Sequence, residues 1–400
     1  MIFLCFVGAC MMHVAPASGK DLVRTRSAAE LGDVRSELAM GDAYFQGQGV
    51  QKDAAQAAYW YEKAANAGDA LAQNQIGYFY QAGIGVAPDV SRAVHWFQLS
   101  AANGDSDAKV NLGVAYFWGS GVQRDPHMAE RLFEEAARAG NSSAMTNLGD
   151  MYYYGDGVTR NEHLARSWYE EAIKKHDSLA EYRMGLQLST SAASAPDLQR
   201  ALALFRESSA DGFVPAMHAL GLLLIDHSEL CKSRQEALRA MNAAADAGMW
   251  RSSAILGVLA RDGKLVSKDP SSAYFHFRAA QLQGGAAASE VVENEIEKLS
   301  QVLSTDELAQ IDAQAKAWAG MHNTPLMKIY RNGGQRKRFP LYGQVEAAPG
   351  AHAGSLIPRG LSSDAEHNSV DLTEAANCQS GDLEQSDPSV AEAQHCSSSD

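Results

Sequence analysis

The sequence predicts an all-α protein: a right-handed α-solenoid of seven 36-residue helix–turn–helix repeats, followed by capping helices. Three columns at one spacing carry that prediction. Glycine stands at Gly41, Gly77, Gly113, Gly149, Gly185, Gly221 and Gly257, each behind an apolar residue such as Met40, Ile76 or Leu112. Alanine stands at Ala57, Ala93, Ala129, Ala165, Ala201, Ala237 and Ala273. A bulky column runs through Tyr61, Phe97, Phe133, Tyr169, Phe205, Met241 and Phe277. A fixed period of this length marks stacked units that each bury a hydrophobic face against the next.

The chain ahead of the array reads in two parts. Residues 1–17 have the make-up of a signal peptide. Ile2 to Ala15 is apolar apart from His13, and Ala15-Pro16-Ala17 suits signal peptidase, with Ser18 opening the mature chain. The apolar run is shorter than the ~20 residues that span a bilayer, so no transmembrane span is expected. No Lys or Arg precedes the run, and Val7-Gly8-Ala9-Cys10 leaves a lipid anchor at Cys10 as the alternative. Residues 18–33 form a lead-in. The expected location is therefore exported, bacterial periplasm or extracellular.

The repeats occupy 34–285, and the second shows how each is built. Asp69 caps a first helix whose apolar positions include Ala72, Ile76, Phe79 and Tyr80, at helical spacing. Gly83-Ile84-Gly85 ends it, because glycine tolerates the positive φ past a helix end. Val86 plugs the loop, and Pro88-Asp89 opens a second helix with Ala93, Trp96, Phe97 and Ser100 on one face. Glycine inside a helix costs about 1 kcal/mol against alanine. Its recurrence calls for close approach of the paired helix, with the alanine column facing it and the bulky column filling the space between neighbouring repeats. The loop motif decays to Ser191-Ala192-Ala193 in the fifth repeat and His227-Ser228-Glu229 in the sixth.

Behind the array, 286–320 reads as capping helices. Val291, Val292, Ile296 and Leu299 form one stripe, and Ser304 opens a helix carrying Leu308, Ile311, Ala315 and Trp318. Residues 321–400 read as a linker and a disordered acidic tail. Lys328, Arg331, Arg336, Lys337 and Arg338 make a short basic cluster in the linker. Residues 341–400 hold ten acidic side chains against Arg359, nine of the net fourteen negative charges. The array itself is only mildly acidic, which argues against nucleic-acid or anionic-membrane partners. Cys5, Cys10, Cys231, Cys378 and Cys396 form neither a zinc pattern nor a disulfide framework, although a Cys378–Cys396 bridge is conceivable in an oxidising compartment.

The residues Ala72, Ile76-Gly77, Tyr80, Gly83, Gly85-Val86, Asp89, Ala93, Trp96-Phe97, Ala101 and Gly104 together resemble the Sel1-like repeat, a relative of the tetratricopeptide repeat. The segment 303–318 resembles a terminal helix seen behind bacterial arrays of this type. The resemblance implies stacked helix pairs, a concave groove and an adaptor in a multiprotein complex. Eukaryotic members serve in endoplasmic-reticulum degradation and chitin-synthase regulation, and bacterial members include exported host-contact and cell-envelope proteins. A cysteine-rich branch is linked to β-lactam binding, with two cysteines per repeat that this chain lacks.

No phosphate loop, dinucleotide fingerprint, zinc-protease motif or nucleophile elbow is present in the sequence. No cofactor and no catalytic set are expected. His127 and His163 share a repeat column but lack further ligands, and Glu134-Glu135 and Glu170-Glu171 read as a solvated helix face. Asn141-Ser142-Ser143 matches a glycosylation acceptor at a helix start, where a cap is the better reading. The expected function is a protein–protein interaction scaffold holding an unidentified protein or peptide in its groove. A cell-envelope enzyme or cell-wall-binding protein is the alternative. The groove candidates on the first helices are Asp42, Phe45, Asn74, Tyr78, Gln81, Val114, Phe117, Thr146, Asp150 and Tyr153, whose chemistry varies between repeats as recognition positions do.

Overall fold

The computed structural model describes residues 19–189, 194–227 and 234–322. The signal-peptide and lipid-anchor readings, the five cysteines, the decayed loops at 191–193 and 228–229 and the tail from 323 lie outside them. The described residues form seventeen α-helices and no strand. After α1 (Gly19–Glu30) come seven helix pairs: α2 (Val34–Gln46) with α3 (Ala54–Asn66), α4 (Ala70–Ala82) with α5 (Val90–Ala102), α6 (Ser106–Trp118) with α7 (Pro126–Arg138), α8 (Ser142–Tyr154) with α9 (Glu162–Ile173), α10 (Ser178–Leu188) with α11 (Ala195–Ala210), α12 (Val214–Asp226) with α13 (Arg234–Asp246), and α14 (Trp250–Asp262) with α15 (Pro270–Gly284). Two further helices follow, α16 (Ala286–Ser300) and α17 (Thr305–His322).

The local chemistry of the second repeat's boundaries is the one the sequence implies. Asp69 accepts from Ala72 N–H and Asp89 from Ser91 and Arg92 N–H, satisfying donors that have no partner within the helix. Gly83 ends α4 in the left-handed conformation, at φ 68°. The second loop glycine has a steric role as well. A Cβ on Gly121 would lie 2.8 Å from the Val90 carbonyl carbon, so the loop rests on the first turn of the preceding repeat's second helix. Leu265 holds the same column in the last repeat and still takes φ 58°, a conformation costly for a branched side chain.

The helical glycines meet the paired helix as expected, with the Ala93 carbonyl oxygen 3.2 Å from a Cβ on Gly77, but the nearest atoms belong to the bulky column. A Cβ on Gly77 would lie 2.7 Å from Phe97, and one on Gly113 would lie 2.6 Å from Phe133. Each glycine therefore seats the bulky side chain of its own helix pair. The alanine column is buried beside it, and the ring reaches on to the next repeat, where Tyr61 meets Phe79 edge-on with centroids 5.2 Å apart. The bulky column thus packs within each pair as well as between repeats.

The chain divides into two compact units, one ending at Ala216 and the other opening at Met217, inside α12. In the first, α1 is a helix the sequence presented only as a lead-in. It buries Ala29, whose carbonyl accepts from Lys63 Nζ at 2.8 Å. In the second, α17 opens with a reciprocal cap between Ser304 and Glu307 and buries Ile311, Ala315 and Ala319. Trp318 packs on Phe275 and on the cluster around Met241 and Leu256.

Candidate functional site

The first helices do not present one uniform open face. In α8 every residue from Ala144 to Met151 is buried, and α10 buries Leu179 to Gly185 without a break. Four of the ten groove candidates are buried: Thr146 and Asp150 within the covered run of α8, and Val114 and Phe117 on α6. The physical reason is lateral cover. A helix covered on all sides has no outward face, whatever its periodicity.

The other candidates are spread along the array. Asp42 accepts a hydrogen bond from Tyr61 Oη at 2.7 Å, and Asn74 accepts one from Asn111 Nδ2 at 2.9 Å. Gln81 is half-buried. Tyr78 packs partly buried against the core, and burial pushes its hydroxyl up to about 12. Phe45, Phe117 and Tyr153 occupy one repeat column, and each is covered by a cation from its own loop: Lys52 at 5.5 Å, and Arg124 and Arg160 at 5.9 Å from the respective centroids. These rings close loops by cation–π contact.

Phe117 and Asp150 come together in a cleft of about 330 Å³, lined also by Trp118 of α6, Tyr154, Gly155 and Asp156 at the end of α8, and Arg183 of α10. Asp150 is 1% exposed. Its Oδ1 accepts from Tyr169 Oη at 2.7 Å and lies 3.2 Å from Arg183 Nε. Its Oδ2 is buried with no hydrogen-bond partner among the described residues. Burial pushes the Asp150 carboxyl up, opposed by the Arg183 charge and the Tyr169 hydrogen bond. Burial works against the Arg183 charge too, yet Asp150 beside it holds the guanidinium above its ordinary value. Trp118 Nε1 is also buried without an acceptor, and Tyr154 is half exposed.

Sequence reasoning missed Trp118, Tyr154, Asp156 and Arg183. One signal was available: Trp118 and Tyr154 are a repeat apart, each just before the loop glycine. For Arg183 the column holds Ala39, Gln75, Asn111, Asn147, Ala219 and Ile255, none of which announces a charge.

A second pocket of about 350 Å³ includes His127, Glu130, Tyr152 and Arg160. Tyr152 Oη donates to Glu130 at 2.5 Å. Among the described residues no group of three or more His, Cys, Asp or Glu side chains is placed to hold a metal ion. Glu134, Glu135, Glu170 and Glu171 pair with Arg138, Lys109, Arg200 and Lys174 at the surface. Asn141 caps α8 by accepting from Ala144 N–H, while its Nδ2 donates to Asp107 at 2.7 Å.

Helix pairs stacked at a fixed period, each seating a bulky side chain on a glycine, define a helical-repeat protein of the solenoid class. The chain belongs to the Sel1 repeat family, which matches residues 34–69, 70–105, 106–141, 142–177, 178–213 and 252–284. The stretch between, which holds α12 and α13, is not among the matched segments. A Sel1 repeat protein from Oxalobacter formigenes is 28% identical, covering 57% of this chain and 98% of its own, with a TM-score of 0.50. A protective antigen present in uropathogenic Escherichia coli strains, displaying an SLR fold, is 24% identical over 80% of this chain and 76% of its own, with a TM-score of 0.41. No curated protein matches the chain. No described helix is long and apolar enough to cross a membrane.

Proposed function

We propose that this protein is a scaffold that holds an extended segment of a partner protein, with the cleft between α6, α8 and α10 as its anchoring point. Sel1 repeats generally serve as protein-interaction scaffolds. The single observation that carries the site is an aromatic cleft lined by Asp150, a residue whose Oδ2 is buried and without a hydrogen-bond partner among the described residues. A buried carboxylate oxygen without a donor costs free energy that a bound donor would recover. Trp118 and Tyr154 supply large, partly accessible rings beside it, the residue types that dominate protein interfaces. Export through the leader-like segment 1–17 is part of the same proposal, supported by the apolar run of 2–15 and the Ala15-Pro16-Ala17 pattern.

The test is selection of displayed random peptides on the full chain. Selected peptides are then titrated against the same chain carrying Trp118→Ala and Tyr154→Ala, with circular dichroism confirming equal helicity. The expected result is a loss of affinity of about tenfold or more, the effect of removing two interface aromatics. Equal affinity for both chains, or no selected peptide, would overturn the assignment of the cleft.

A further inference from the structure

The cleft between α6, α8 and α10 has a charge and hydrogen-bond balance that specifies what it would hold. We infer that it takes a single cationic side chain, a lysine ammonium or an arginine guanidinium, carried on an extended segment of a partner protein. The inference rests on the scaffold reading above and adds the chemistry of the bound group.

Charge comes first. The cleft wall holds two carboxylates, Asp150 and Asp156, and one cation, Arg183. Asp150 and Arg183 form a buried pair, their side chains 1% and 5% exposed, and balance each other. Asp156 meets Arg124 at 2.8 Å, but both side chains of that pair are about half in water. An ion pair so exposed is weak and readily exchanged. The wall therefore carries one negative charge that a ligand can neutralise.

Hydrogen bonding points the same way. As a carboxylate, held so by the Arg183 charge and the Tyr169 hydrogen bond against burial, Asp150 accepts only, and its Oδ2 has no hydrogen-bond partner among the described residues. Lysine and arginine carry donors and no acceptor, so either would satisfy the oxygen without adding an unmatched acceptor to the cleft. An anionic side chain would face both carboxylates, and the Arg183 charge is already opposed by Asp150.

The rings supply the third element. Trp118 and Tyr154 belong to consecutive repeats and line the same cleft. Cations are attracted to the faces of such rings, indole most strongly. The chain uses this contact within itself, where Arg92 lies 4.3 Å from the Tyr80 centroid.

The experiment is isothermal titration calorimetry of the full chain with four acetylated, amidated pentapeptides of Gly and Ala that differ at the centre. The central residue is arginine, lysine, citrulline or glutamate; citrulline keeps the shape of arginine and removes the charge. Arginine and lysine peptides are expected to bind about tenfold or more tightly than the other two, as cation–π and charge-assisted contacts in a partly desolvated site allow. Asp156→Asn, a change at an exposed side chain that leaves the fold intact, is expected to cut that preference several-fold. Asp150→Asn is expected to remove it.

Equal binding of the citrulline and arginine peptides overturns the inference, as does tighter binding of the glutamate peptide or binding of none of the four. An unchanged preference in Asp156→Asn also overturns it. If peptides from the display selection still require Trp118 and Tyr154 while the charge preference is absent, the scaffold reading stands and only this inference falls.

Discussion

A hydroxyl on the bulky column and a carboxylate just past the helical glycine occur together in two repeats. Tyr61 donates to Asp42 and Tyr169 to Asp150, both at 2.7 Å. Where the bulky residue is Phe97, Phe133, Phe205 or Phe277, the position after glycine holds Tyr78, Val114, Leu186 or Val258. A phenyl ring offers no donor, so a buried carboxylate beside it would go unsatisfied. A second pair of columns shows the opposite outcome. Glu37 pairs with Lys63 at 2.8 Å and Lys109 with Glu135 at 2.7 Å, but in the fifth repeat the same two columns hold Glu181 and Glu207. Burial first, then the carboxylates of Asp211, Glu207 and Asp177, push the Glu181 carboxyl up to about 7. A folded-state value above the unfolded one means that this group's contribution is complete below the ordinary carboxylate range and is lost as pH rises through about 7. Urea unfolding at pH 5.5 and pH 8 is expected to show the wild type losing about 1–2 kcal/mol more than Glu181→Gln across that interval. Equal losses in the two chains would mean that Glu181 titrates normally. Both couplings are visible in the sequence once columns are compared in pairs. The burial that gives them their energy is not, because it depends on neighbouring helices that no local pattern names.

At the scale of the helix pair, the glycine column sets how closely two helices approach. The ring of Phe133 occupies the place where a Cβ on residue 113 would lie, 2.6 Å from Cε1. Gly113→Ala is favourable for helix propensity by about 1 kcal/mol, yet it forces a fully buried ring to move. Overpacking of this kind costs about 1–3 kcal/mol, so the net effect is expected to be destabilising. Phe133→Leu in the same chain vacates part of the ring's volume. A double-mutant cycle in urea should therefore find the pair less destabilised than the sum of the single changes. Additivity would place the glycine's value in backbone conformation instead of contact. The periodicity made the helices, their caps and the loop glycines legible, because each is a local requirement with its own residue type. It placed the ring between repeats, where Tyr61 does meet Phe79, but left its seat on the glycine of its own pair unannounced. Two columns on adjacent helices can both be buried without the sequence saying which touches which. It also left α1 unannounced, since that helix lies outside the repeat and carries few apolar residues.

Across the whole chain, burial divides the first helices into two kinds. α8 and α10 in one compact unit, and α14 in the other, each bury a long unbroken run: 144–151, 179–185 and 252–260. α2 and α4 keep partly exposed positions between their buried ones. This contrast decided the fate of the two groove candidates on α8, Thr146 and Asp150. The helical periodicity shows which side of a helix is apolar, but the polar groove candidates Thr146 and Asp150, on the other side, are enclosed as well. The enclosed helices are also the ones whose backbone is hardest to expose. In a repeat array, stability is close to a sum of terms between neighbours, and local openings start where neighbours are fewest. Hydrogen exchange followed by mass spectrometry should therefore find peptides from 144–151, 179–185 and 252–260 the slowest in their respective units. α1, which shows Val23 to solvent and leads into the exposed Leu31, and the last turn of α17, which shows Met321, should exchange first. If the covered helices exchanged as fast as α2 and α4, their burial would reflect loose cover instead of packing. Asp150 would then be within easy reach of water, and the energetic reason for a donor at its free oxygen would be gone.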